Sequence, residues 1–149
     1  MPETPVLVVG YRQGATGKAA LRYARWLADA LGGHVHVVHV TELDDFPVDP
    51  DQLDWELEAE RRLSTVRAEV ETLLGDDDAS SWSYEVAHGD PGDALADVAR
   101  SRRAAMVVVA AHVDGRLGRL HRLVARSIAR ELFDRAACPV LVVPCEETR

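Results

Sequence analysis

Cysteine is scarce in this chain: two residues in 149, Cys138 and Cys145, both near the C-terminus. That count excludes the disulfide framework of a small secreted fold, and the pair lacks a metal-type Cys-x-x-Cys spacing. Aromatic residues are equally few, 5% of the chain. Trp26, Trp55 and Trp82 are expected to pack on core or dimer surface rather than to stack on bases. No apolar run approaches the roughly 20 residues needed to cross a bilayer. No basic stretch followed by an apolar one marks a secretory leader at the N-terminus. These absences predict a cytoplasmic chain with no membrane partner. Positive charge is in deficit, 17 basic against 25 acidic residues for a formal charge of −8. General affinity for a nucleic-acid backbone is therefore not expected, although one local basic face is compatible with this balance. No Ser-His-Asp order, paired carboxylates in an expected crevice, or nucleophile elbow stands out, so binding is expected rather than catalysis.

Apolar and charged residues stand at 47% and 28%, ordinary for one globular domain, here residues 1–149. "VLVVG" (6–10), "HVHVVHV" (34–40), "MVVVAA" (106–111) and "PVLVVP" (139–144) have the β-branched character of strands covered on both faces. "WSYEVAH" (82–88) alternates more and predicts an edge. Between the strands lie helical periodicities. Leu21, Ala24, Leu27, Ala28 and Leu31 share one face, with Gly32-Gly33 as the stop. Leu53, Leu57, Val66, Val70 and Leu73 form a second face ending at Gly75. Asp90 is the expected N-cap of a third helix, with Pro91 at its first position, and a fourth should span about Leu120–Arg135. Regular alternation of strand and helix implies parallel pairing through right-handed crossovers, an open α/β sheet with helices on both faces. The segment "TELDDFPVDPDQLD" (41–54), with two prolines and six acids, is a solvated loop, or else a lid or dimer contact.

In such a sheet, ligands bind beyond the carboxyl ends of the strands where strand order reverses, which directs attention to residues 10–18 and 110–119. A P-loop fails in the first turn. Gly17-Lys18 fits, but Arg12 replaces the leading glycine and Ala19 the magnesium-binding hydroxyl. A dinucleotide fingerprint is absent too, and a phosphoacceptor receiver would need acids where Gly10–Gln13 and His88-Gly89 stand.

The order of "AAL..A..LA", "HVVHV", "VAHGDPGDAL", "MVVVAAH" and "ARSIARELFDRAACPVLVVP" resembles the universal stress protein family over nearly the whole chain. The most specific elements are Gly89-x-Pro91 and Ser127 followed twelve residues later by Pro139. The resemblance implies a Rossmann-like five-stranded parallel sheet of order 3-2-1-4-5. It also implies a homodimer paired through the terminal strand, residues 139–143, whose apolar edge would otherwise be a liability.

Some members of the family bind ATP. They resemble one another in an Asp after the first strand and in Gly-x-x-Gly, nine residues, then Gly-Ser or Gly-Thr after the fourth. Here Arg12 occupies the Asp position, a donor in place of an acceptor. Gly115-x-x-Gly118 matches the first half, but counting onward reaches Ile128-Ala129, and counting back from Ser127 puts Arg126 where glycine belongs. Anchoring instead at the strand end aligns Ala110-Ala111-His112-Val113 and loses both glycines. The candidate crevice comprises Gly10, Arg12, Val40, His112, Gly115, Gly118, Arg126 and Ser127.

Arg116, Arg119, Arg122, Arg126 and Arg130 are either a solvated face paired with acids of residues 42–60, or a set of guanidiniums that recruits an anion. His112 is a site candidate or a polar strand cap. His34 and His36 share a face, but His39 points to the opposite one, so no metal is expected. Cys138 should be buried and Cys145 exposed. The resemblance thus implies a stress-response binding or regulatory protein, with a protein partner or small anionic ligand, that needs no cofactor and does not hold ATP in the family's manner. Two alternatives stay open: a nucleotide site, ATP included, modified by arginines, and a sensor of another anionic metabolite.

Overall fold

A computed structural model describes residues 4–42, 54–75, 81–112 and 128–145. Five strands, β1 (Val6–Tyr11), β2 (His34–Thr41), β3 (Trp82–His88), β4 (Met106–His112) and β5 (Val140–Cys145), form one parallel sheet ordered β3-β2-β1-β4-β5. The helices are α1 (Ala15–Leu31), α2 (Trp55–Leu74), α3 (Pro91–Ser101) and α4 (residues 128–135). The expected order is observed, and the alternating segment 82–88 is indeed an edge strand.

Strand periodicity divides the core in two. Leu7, Val9, Val35, Val37, Val108 and Val143 face α1 and α2, meeting Leu21, Ala24, Val66 and Val70. Val8, Val38, Val107 and Val109 face the other way, against Leu95, Ala99 and Leu132. Each buried side chain contributes on the order of 1.5–3 kcal/mol, which makes the three inner strands the main source of stability.

Local chemistry ends the helices as expected. Gly32 adopts φ 64°, and the Gly33 N–H donates to the Ala28 carbonyl at 2.7 Å, closing α1. The Asp90 carboxylate accepts from the Asp93 N–H at 3.1 Å, with Pro91 at the first position of α3. Among the described residues, no helix is long and apolar enough to cross a membrane.

Two expectations need correction. Cys145 is buried rather than exposed, because β5 continues through it and it shares the inward parity of Val143. Cys138 is only half-buried. Of the tryptophans, Trp82 packs on the core as expected and donates its indole N–H to the Gly75 carbonyl at 3.3 Å, while Trp26 and Trp55 are exposed on this chain.

A histidine, His36, is enclosed at the β2–β3 edge, far from the carboxyl ends of the strands. Its Nδ1 lies 2.6 Å from the Ser83 hydroxyl, which also meets His34 Nε2 at 2.7 Å. Its Nε2 is 3.0 Å from Glu85 but poorly aligned for a hydrogen bond, and Arg102 reaches the same carboxylate at 3.2 Å. Burial lowers the His36 pKa, assisted by the Arg102 charge and outweighing the opposite pull of Glu85. The unfolded chain therefore takes up a proton near pH 6.5 that the folded chain refuses, and stability is lost as pH falls through that value. The urea midpoint should drop from about pH 7 to about pH 5.5, and His36→Gln should flatten that slope. An unchanged slope in the variant would show that His36 is not the group responsible.

Candidate functional site

Strand order reverses between β1 and β4, which leave the sheet on either side of a crevice at their carboxyl ends. The turn from β1 into α1 forms its floor. Gly17 packs so closely on the Arg12 backbone that a Cβ there would run into the Arg12 carbonyl. Gly14, the residue before α1, adopts φ 122°, a region that favours glycine, and supplies no side-chain cap.

The two neighbours of Arg12 are tied to α2 through one carboxylate. The Tyr11 hydroxyl donates to Glu69 Oε2 at 3.0 Å, and Gln13 Nε2 donates to Glu69 Oε1 at 2.9 Å. The Gln13 hydrogen bond leads in holding the Glu69 carboxyl below its ordinary range, while burial pushes the Tyr11 phenol far above its own. Tyr11 thus stays a donor and Glu69 an acceptor. Arg12, between the two clamped side chains, is exposed and lines the crevice.

The crevice encloses about 940 Å³. Gly10, Arg12, Thr16 and Gly17 border it from β1 and α1, and Val38, His39, Val40 and Thr41 from β2. Leu95, Val109, Ala110 and Ile128 supply an apolar side, and Glu58, Arg61, Arg62 and Thr65 a polar one from α2. The Thr41 hydroxyl is 2.6 Å from His88 Nδ1 and the Gly89 N–H donates to the Thr41 carbonyl at 3.1 Å, securing the ends of β2 and β3. His39 Nδ1 lies 3.1 Å from the Tyr11 carbonyl.

Of the residues singled out from sequence, the structure brings Gly10, Arg12 and Val40 to this crevice. Gly115, Gly118, Arg126, Ser127 and the side chain of His112 lie outside the described residues, as do Arg116, Arg119 and Arg122. The wall built by α2 was missed by the sequence reasoning. Its signal was the placement of Glu58, Arg61, Arg62 and Thr65 three and four residues apart on one helical face, but nothing local says what that face meets. Among the described residues, no group of three His, Cys, Asp or Glu side chains is arranged to hold a metal.

The family model for the universal stress protein family matches residues 5–144, nearly the entire chain. The chain belongs to the universal stress protein family. Solved structures agree on the fold. Universal stress protein UspA from Lactobacillus plantarum is 18% identical, with a TM-score of 0.67 over 96% of this chain and 99% of that one. A universal stress protein in complex with cAMP is 19% identical, with a TM-score of 0.66 over 93% and 95% of the two chains. The universal stress protein from Archaeoglobus fulgidus in complex with dAMP is 20% identical, with a TM-score of 0.57 over 96% and 99%. No curated protein matches the sequence significantly.

The close approach at Gly17 makes a specific demand on this universal stress protein. At an ordinary helical position Gly→Ala gains up to about 1 kcal/mol. Gly17→Ala should instead cost about 1–3 kcal/mol in urea unfolding, because the new methyl must displace the Arg12 backbone. A stabilised variant would contradict the described turn.

Proposed function

We propose that this universal stress protein is a cytoplasmic stress-response binding protein whose crevice takes a small anionic ligand, with nucleoside monophosphates the first class to test. It does not hold ATP in the manner of the family's ATP-binding members. The observation that carries this reading is the crevice itself: about 940 Å³ at the reversal of strand order, bordered by the guanidinium of Arg12 where those members have an acid. The volume lies within the range of small-molecule sites. The apolar side can cover a ring, and Arg12 offers only donors, which suit phosphate or carboxylate. The cAMP and dAMP complexes of the two related structures support the same ligand class. Binding is favoured over turnover because Glu58, the described carboxylate of the lining, is engaged by Arg62 at 3.2 Å.

Titration calorimetry tests this directly. AMP or cAMP should bind with a dissociation constant on the order of micromolar, and ATP at least about tenfold more weakly, with no gain from magnesium. Tight magnesium-dependent ATP binding would restore the family's usual mode. Silence from every nucleotide would remove this ligand class.

The chain acts as a homodimer in this proposal, joined through β5. Among the described residues, that strand ends the sheet with an unpaired edge, where Val142 is 39% exposed. On α4, Glu131 turns toward Gly92 of α3, so the opposite flank carries Phe133, 79% exposed, away from α3. A second copy would cover both side chains. Sedimentation should show a dimer that Val142→Lys converts to monomer. A parent chain that is monomeric at tens of micromolar would refute the pairing.

A further inference from the structure

Six of the eleven described arginines are paired with acids. Arg25, Arg62, Arg67, Arg100, Arg102 and Arg135 each meet a carboxylate, on Asp29, Glu58, Glu71, Asp97, Glu85 and Asp93. The side chains of Arg12, Arg22, Arg61, Arg103 and Arg130 make no hydrogen bond or ion pair among the described residues, and of these five Arg12 and Arg61 line the crevice. Acids outnumber bases by eight in this chain, so two unmatched cations at one opening run against its composition.

The carboxylates near them are already committed. Glu69 is bracketed by Tyr11 and Gln13, and Glu58 is held by Arg62. The described lining sets Arg12, Arg61 and Arg62 against Glu58, so the α2 side of the crevice is locally positive, whereas Val38, Val40, Leu95, Val109 and Ile128 make its interior apolar. Such a cavity suits an amphipathic ligand with its anionic group at the α2 wall and its uncharged body toward the sheet. The first turn of α1 carries no acid to oppose that charge.

We infer that Arg12 and Arg61 together hold the phosphoryl group of the crevice ligand against α2, so that the ligand's anionic end faces the β1–α2 wall. This inference builds on the proposed binding of a small anionic ligand and names the side chains that select it. Guanidinium pairs grip phosphate oxygens through directed hydrogen bonds, which a single lysine charge reproduces only in part. Both groups are solvent-accessible, so the attraction is screened by salt.

Calorimetry with AMP and adenosine separates the inference from the reading beneath it. At low salt AMP should bind at least about tenfold more tightly than adenosine, and raising the ionic strength should shrink that ratio. Arg12→Gln and Arg61→Gln should each cost AMP about tenfold and leave adenosine unchanged, with Arg61→Lys recovering part of the loss. The double variant should lose less than the product of the two single losses, because both side chains serve one group. Both positions are exposed, and unchanged urea midpoints would confirm that the variants fold. AMP and adenosine binding equally, or AMP indifferent to Arg61→Gln, would overturn the clamp while leaving the crevice a ligand site. If neither compound binds, the proposed ligand class falls and the clamp with it.

Discussion

The backbone of Arg12 lying on Gly17 is the constraint on which the rest of the site depends. It brings the start of α1 against the end of β1, so the chain reverses within a few residues and the crevice opens directly above the sheet. A bulkier residue at 17 would push α1 outward and move Thr16 away from the opening. The same constraint fixes which way the loop's side chains can go. Tyr11 and Gln13 turn to α2 and share Glu69, leaving Arg12 facing the cavity. One carboxylate from a helix 58 residues away thus orients a turn whose own sequence carries no acid.

Charge and shape then act at different ranges. The net charge of −8 sets the far field and repels large polyanions. Within the crevice the balance is reversed, since its described lining sets Arg12, Arg61 and Arg62 against Glu58. A small anion that reaches the opening meets this local field, while its apolar part finds the valines and leucine beneath.

The fold was readable because its signals are local. Unbroken β-branched runs such as Val6–Val9 and Val107–Val109 announce strands buried on both faces, Gly32 and Asp90 mark helix ends, and alternation along 82–88 betrays an edge. That Arg12 borders the crevice was readable from its position, in the turn after a first parallel strand. That Arg61 borders the same crevice was not. Its helix face is legible from spacing, but its approach to β1 depends on contacts across more than forty residues. Cys145 was misjudged for a related reason: whether a terminal residue extends a strand is decided by its neighbour β4, which pairs His112 with Cys145. Trp26 shows the limit of the hydrophobic rule, since a large apolar ring at the outer face of α1 stays exposed, in a tilted contact with Tyr23 at 5.3 Å between ring centres.

The central claim is that ligand enters this crevice and meets its α2 wall. Amide chemical shifts followed by NMR during AMP addition test it most directly, because they report where binding occurs without any substitution. The account predicts saturable shifts concentrated at residues 10–17 and 58–66, with the buried amides around His36 and Ser83 unmoved. Shifts gathered instead along β5 and α3, or scattered without saturation, would contradict it.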